Sequence, residues 1–324
     1  MNRHRQRSGL NLRQLSYFVR TVELRNMTRA AESLYVAQPA LSQQISRLEE
    51  EVGAQLLVRH PRGVEPTAKG QILYRQAQTV LREVDAIAGM LHRETAPIAG
   101  TVSVGMPSSA ARMLALPLIR AVSGRYPTVD LEIVDVSSAD LTVLVQQGRV
   151  DMTLSPDQEN VADLLAVPLV VEELLVLTHP SLVLAQDKLT ITDLAGVPLI
   201  LSRPPNKLRM RVEYAFMNAQ LQYKLLAEVS TSAITLPAVR EGLGATILPY
   251  SAAAAEIEAG TVRHHHLAPP LWRGISLCTS RSKPQRPAAA AVGELIQSLV
   301  RELISTGVWR YCTMAELSQS KLAY

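Results

Sequence analysis

The spacing of apolar residues changes character near residue 100. Before it, the apolar positions recur at helical intervals. After it, short apolar runs alternate with amphipathic stretches. Leu12, Leu15, Phe18, Val19 and Val22 share one face and predict a helix over Leu12–Leu24. Asn26 can cap a second helix over 27–34, in which Ala30 and Ala31 are small enough for a close crossing. Tyr35-Val36-Ala37 reads as a short turn. In the next helix Leu41, Ile45 and Leu48 form an apolar face, with Pro39, Gln43, Ser46 and Arg47 roughly opposite. Pro39 is tolerated because it falls in the first turn, where its missing N–H has no helical partner to lose. Val52-Gly53 ends the helix. A strand over 55–59, a turn over 60–64 and Glu65-Pro66-Thr67 complete a hairpin. Two short helices joined by a turn and followed by a wing form a winged helix-turn-helix, whose second helix is offered to the major groove.

Thr67 can cap a long helix running to about residue 94. Leu73, Ala77, Val80, Val84, Ile87 and Leu91 step alternately by four and three, a heptad seam. Such a helix spans roughly 40 Å. A seam this long and narrow is best buried against a copy of itself, so these six positions are read as dimerisation residues.

Ala96-Pro97-Ile98-Ala99-Gly100 reads as a hinge. Strands are expected at 101–105, 129–136, 151–155, 167–177, 198–201, 223–229, 245–248 and 272–279. Helices are expected at 109–125, 139–147, 207–220, 234–241 and 285–304. This alternation predicts a parallel sheet flanked by helices. Residues 307–324 carry no assignable pattern.

Composition sharpens this picture through the placement of charge. The 324 residues are 47% hydrophobic and 19% charged, with a net charge of +4. Residues 1–66 hold ten Arg and no Lys against six Glu; the remainder holds 23 basic and 23 acidic residues. All the excess positive charge therefore lies in the segment that carries the helix-turn-helix, where a polyanion would bind. Arg3, Arg5 and Arg7 can add phosphate contacts. Two cysteines, Cys278 and Cys312, fit a reducing compartment. No signal peptide or membrane-length apolar run is visible, so a cytoplasmic protein without a membrane role is expected.

The first hundred residues resemble LysR-type transcriptional regulators. The motifs that carry the resemblance are Leu12-Arg13-Gln14-Leu15 with Phe18, Thr28-Arg29-Ala30-Ala31-Glu32-Ser33-Leu34, Gln38-Pro39-Ala40-Leu41-Ser42 with Ile45, Leu48 and Glu49, and Arg59 through Pro66-Thr67-Ala68-Lys69-Gly70. The chain departs from the pattern at Ala37, where the family usually has a capping Ser. It departs again at Leu57, usually Phe, and at Gln43, a frequent Arg, which shifts the expected contact from guanine to adenine. Segments of the second half, such as 239–249, look most like the nitrogen-assimilation-control branch.

The resemblance implies a winged helix-turn-helix over 1–66, a linker and dimerisation helix over 67–95, and an effector-binding domain over 96–306, with a tail at 307–324. The effector domain is expected as two α/β subdomains of the periplasmic-binding-protein type: subdomain I at 101–171 and 272–306, subdomain II at 172–271. The chain is expected as a homodimer or homotetramer on an interrupted palindrome of double-stranded DNA, with RNA polymerase among its partners. Thr28, Gln38, Pro39, Ser42, Gln43, Ser46, Arg47, Arg59 and Arg62 are the candidate DNA-binding residues.

Catalytic motifs are absent: there is no Gly-x-Ser-x-Gly elbow, no phosphate loop and no His-Glu-x-x-His, so no enzyme is expected. Gly242-Leu243-Gly244 precedes its strand and lacks a third glycine, which suits a helix end rather than a dinucleotide loop. His264-His265-His266 has no ligand-spaced carboxylate or Cys nearby and reads as an exposed edge strand, so neither metal nor cofactor is expected. A cleft is the stronger candidate. Ser108, Ser109, Ser137, Ser202, Arg203, Thr231, Ser232 and Pro249 fall at strand-to-helix junctions, where helix N-termini hold anions and open α/β sheets bind ligands. The expected function is a transcriptional regulator controlled by a small, anionic effector. The rival readings are an effector-independent architectural DNA-binding protein and a solute-binding protein or enzyme that uses the second half alone.

Overall fold

The computed structural model describes residues 10–60, 63–91, 98–157, 163–182, 188–282 and 285–315, with backbone alone at 82–83, 85–91 and 139. The basic tail at Arg3, Arg5 and Arg7, the wing tip with Arg62, the hinge residues Ala96 and Pro97, and the end of the tail lie outside the described residues, as do the side chains of Ile87 and Leu91. The chain divides into two compact units, 1–96 and 97–324.

The first unit holds helices α1 (Leu12–Leu24), α2 (Met27–Ser33) and α3 (Gln38–Val52), the hairpin β1 (Leu57–His60) and β2 (Gly63–Pro66), and helix α4 (Ala68–Leu91). Asn11 caps α1 in a reciprocal box with Gln14, and Asn26 caps α2 by accepting from Arg29 N at 3.0 Å. Leu41, Ile45 and Leu48 are fully buried with Phe18, Ala30 and Leu57 in one core. Each of the large side chains among them contributes about 1.5–3 kcal/mol by leaving water. The quoted motif residues have local reasons. Glu49 Oε1 accepts from Leu56 N (2.7 Å) and Leu57 N (3.1 Å), pinning α3 to β1. Thr67 Oγ1 accepts from Gly70 N at 3.0 Å and donates to Gln55 O at 2.8 Å. Gly70 is required because any Cβ there would overlap the Leu56 carbonyl.

The heptad seam of α4 needs correction at its start. Leu73 is half-buried and Ala77 is 1% exposed, packed with Leu15 and Val19 of α1. A seven-residue repeat shows that a stripe is buried but not against which helix, and here α1 takes the first two positions. Val80 is 41% exposed and Val84 half-buried within the single chain.

The second unit runs β3 (Gly100–Met106), α5 (Ser108–Arg125), β4 (Val129–Asp135), α6 (Ser138–Gln146), β5 (Met152–Pro156), β6 (Leu164–Thr178), β7 (Lys188–Leu189), a 3₁₀ turn (Ile191–Leu194), β8 (Pro198–Ser202), α7 (Lys207–Asn218), β9 (Lys224–Val229), α8 (Ser232–Arg240), β10 (Thr246–Pro249), α9 (Tyr250–Glu258), β11 (Arg263–Leu267), β12 (Leu271–Ser280), α10 (Pro287–Ser305) and β13 (Cys312–Met314). The expected parallel pairing holds for β3 with β4 and β5, and for β8 with β9. The two crossover strands are antiparallel. β12 pairs with β5 and along β6 from Ser280↔Leu164 to Leu271↔Leu174, and β6 continues into pairing with β10 and β11. One long strand thus carries both α/β halves.

Three elements differ from the sequence reading. The Ala-rich segment after β10 is a helix, α9. The histidine run is an interior strand rather than an exposed edge: β11 lies between β6 and β7, and His265 is 5% exposed beside Thr178 Oγ1 at 3.2 Å. The apparently patternless tail is also structured in its described part. Trp309 is buried, and β13 pairs with β6 through Thr313↔Val171.

Candidate functional site

The exposed face of α3 carries Gln38, Pro39, Gln43 and Arg47, with Ser42 and Ser46 half-buried beside them. Thr28 is exposed on α2. Arg59, exposed on β1, donates from Nη1 to Ser42 Oγ at 2.9 Å and so ties the wing to the helix. Ala37 stands at the N-cap of α3 and makes no side-chain cap bond. The long donors of Gln43 and Arg47 are free of the core because the whole apolar requirement of α3 is met on its other side.

In the second unit a cleft of about 70 Å³ is lined by Ser108, Ser109, Ser137, Ser202, Thr231, Ser232 and Pro249 of the expected set. It has room for on the order of five waters at ~15 Å³ each. Residues at the N-terminal ends of five helices line it: Pro107 to Ser109 for α5, Ser137 and Ser138 for α6, Asn206 for α7, Thr231 and Ser232 for α8, and Pro249 for α9. Helix N-termini carry a partial positive charge and free N–H groups; at α7 and α8 the Asn206 and Thr231 side chains already take Leu208 N, Arg209 N and Ala233 N. Among the described lining residues none is acidic. Asn206 Nδ2 donates to Ser138 Oγ at 3.3 Å, bridging the two α/β halves across the cleft.

Arg203 is a correction. It is exposed on the loop after β8 and does not line the cleft. The lining cation is Arg273 on β12, which the sequence reading missed. It is 4% exposed and bonds Glu172 Oε2 from Nε (2.8 Å) and Nη2 (2.6 Å), and Ser109 Oγ from Nη2 (2.7 Å). Glu172, 1% exposed, accepts at Oε1 from Ser251 Oγ (2.5 Å) and from Trp309 Nε1 (2.9 Å). Ser109 is therefore no helix cap: α5 begins at Ser108, its N-cap Pro107 makes no side-chain cap, and the Ser109 hydroxyl accepts from arginine. Thr231 does cap its helix, accepting from Ala233 N at 3.3 Å. The signal available in sequence was a lone acid pair, Glu172-Glu173, and a lone Arg273 within otherwise apolar strands.

The histidines are placed by polar partners. His266 Nδ1 lies 2.8 Å from Glu173 Oε1, and His264 Nε2 lies 2.9 Å from the Tyr311 hydroxyl. Among the described residues no group of three or more His, Cys, Asp or Glu is arranged to hold a metal ion. Burial pushes the Cys278 thiol up to about 11, so it is unreactive at neutral pH. No described helix is long and apolar enough to cross a membrane.

A DNA-facing helix-turn-helix joined to a two-lobed ligand cleft defines the class: a DNA-binding regulator with an effector domain. The chain matches the family described as "LysR substrate binding domain" over residues 95–301, and "Bacterial regulatory helix-turn-helix protein, lysR family" over 12–71. It belongs to the LysR family of transcriptional regulators, and is not an enzyme. It is 35% identical over 294 residues to the nitrogen assimilation regulatory protein nac of Klebsiella aerogenes, covering 90% of this chain and 95% of that one. A full-length OxyR variant from Pseudomonas aeruginosa shares the fold with a TM-score of 0.69 at 24% identity, covering 95% of this chain and 99% of that one. Full-length CbnR complexed with its target DNA gives a TM-score of 0.64 at 22% identity, covering 90% and 100%.

Proposed function

We propose that the effector is a small organic anion held in the cleft between the two α/β halves. The observation that carries this reading is the convergence of five helix N-termini with the buried Arg273, on a surface whose described lining contains no acid. The limited volume favours a compact acid over a large ring system. Asn206 to Ser138 is the contact that an anion would reinforce as the halves close. Footprinting on target DNA with and without candidate small acids tests the reading: an altered protected region supports it, and an identical footprint across the acids sinks the switch.

On DNA, Gln43 and Arg47 read base edges, while Arg59 and Thr28 position the unit on phosphates. Two copies paired through α4 beyond Ala77 place two α3 helices in successive major grooves of an interrupted palindrome, in the cytoplasm, within reach of RNA polymerase. The similarity to a nitrogen assimilation regulatory protein makes nitrogen assimilation genes the first targets to test. Equal affinity for random and promoter DNA would instead favour the architectural reading.

A further inference from the structure

We propose a second ligand site, for a flat aromatic carboxylate, on the other flank of α7. One face of this helix carries Lys207, Arg211, Tyr214 and Asn218, stepping by four, three and four. Two contiguous cavities of about 420 and 410 Å³ meet there, sharing Arg211, Tyr214, Leu271 and Trp272. They share no lining residue with the cleft. Ligand pockets of this size are usually apolar with a few convergent polar groups, and this one fits that description.

The apolar part is supplied by the rings of Trp272 and Tyr214, by Leu271 and Ile191, and by the small side chains of Ala215 and Ala219, which leave the space open. Such surfaces stack on planar rings. The charged end is supplied by Lys207 and Arg211, with Asp157 the acid among the described lining residues. Arg211 holds the Asp157 carboxylate in a fork at 2.9 and 2.8 Å. Lys207 Nζ donates instead to the Asp157 main-chain carbonyl at 2.7 Å, so its charge is not matched there. Among the described residues, two cations against one carboxylate leave a net positive end on an apolar slot. That combination selects a ring bearing a carboxylate over either a neutral ring or a non-aromatic acid.

The position gives such a ligand a lever. Asp157 directly follows β5 of one α/β half, α7 belongs to the other, and Leu271-Trp272 opens the crossover strand β12. Asp157 Oδ1 also accepts from Gly274 N at 3.0 Å, next to the cleft cation Arg273. A ligand seated here braces both halves and the strand between them.

Calorimetric titration of the full chain with 2-naphthoate, and separately with uncharged 2-naphthamide, tests the site. Saturable binding of the acid, with the amide at least tenfold weaker, is expected. Lys207→Gln should weaken the acid about tenfold, and Ala215→Phe, which fills the slot, should abolish it. Ser109→Ala, which alters the separate cleft, should leave the titration unchanged. Absence of saturable heat, equal binding of acid and amide, or insensitivity to Lys207→Gln overturns the proposal. Loss of binding in Ser109→Ala also overturns it, since the probe would then sit in the cleft. If Ala215→Phe does not fold, Lys207→Gln decides alone.

Discussion

The surfaces proposed for DNA and for the cleft effector are built in opposite ways. The face proposed to meet DNA comes mainly from ten successive residues, Gln38 to Arg47, on one helix whose reverse side is core. Folding and reading are separated by helix periodicity, so the polar side chains are free to vary without cost to the fold. The cleft has no such separation. Its surface is assembled from the starts of five helices and one buried arginine, drawn from residues 107 to 273. Here the groups proposed to bind are also groups that hold the fold, as the Arg273 bonds to Glu172 and Ser109 do. The expectation is that substitutions on α3 change specificity and spare stability, whereas substitutions at the cleft floor change both.

The largest effect is expected at Arg273. Arg273→Ala leaves Glu172, 1% exposed, without its cation. Removing one partner of a buried pair costs about 3–5 kcal/mol, readable as a fall in the urea midpoint together with loss of any response to the effector. The double variant Glu172→Gln with Arg273→Met should regain much of that stability and none of the response. If it regains both, Arg273 holds the fold only and the contrast between the two surfaces fails.

On the DNA side, Gln43→Ala should lose about 1–3 kcal/mol of discrimination at one base position with an unchanged urea midpoint. Arg59→Ala should weaken all sequences alike and lower the slope of log affinity against log salt by about one. Competition binding with base-substituted duplexes separates the two. A Gln43→Ala variant that unfolds early would erase the distinction between reading face and core.

A smaller gain is expected at the entrance to α3. Ala37→Ser restores a side-chain cap to the helix N-terminus and should stabilise the first unit by about 1 kcal/mol, with no change in the order of preferred DNA sites. The smallest effect is a pH dependence of the second unit. Burial, followed by the neighbouring His266, holds His264 below its ordinary 6.5, while Glu173 and Glu258 oppose the shift and Arg310 adds to it. The unfolded chain then takes up that proton more readily than the folded one. The His264 contribution is complete above 6.5 and is lost as pH falls from 6.5 through the lowered folded value. His264→Gln should flatten that slope in thermal midpoints measured across the same window.

What could be read in the sequence follows the same division. The bounds of α1, the cap at Asn26, the apolar face of Leu41, Ile45 and Leu48, and the missing cap at Ala37 are all set by residues within one or two turns of each other. The serines of the cleft were also legible, because a strand running into a helix marks its own N-terminus. Arg273 was not, since its partners Glu172 and Ser109 lie 101 and 164 residues away. Arg203 adjoins Ser202 in sequence and so resembles a cleft residue there, although its side chain does not line the cleft. The heptad of α4 was visible, but periodicity carries no label for the helix that covers it, and α1 covers its start. Trp309 and β13 were missed because three residues of strand give no alternation to detect; their place is fixed by β6 and by Glu172, not by local pattern.

The central claim, that converging helix ends and Arg273 select an anion, is tested most directly by a pair of isosteres. Thermal midpoints of the full chain would be measured with small dicarboxylic acids and with their uncharged diamides at matched concentration and ionic strength. The account predicts that at least one compact acid raises the midpoint, that its diamide does not, and that Arg273→Met abolishes the shift. A diamide that stabilises as well as its acid, or an acid whose effect survives Arg273→Met, would contradict it.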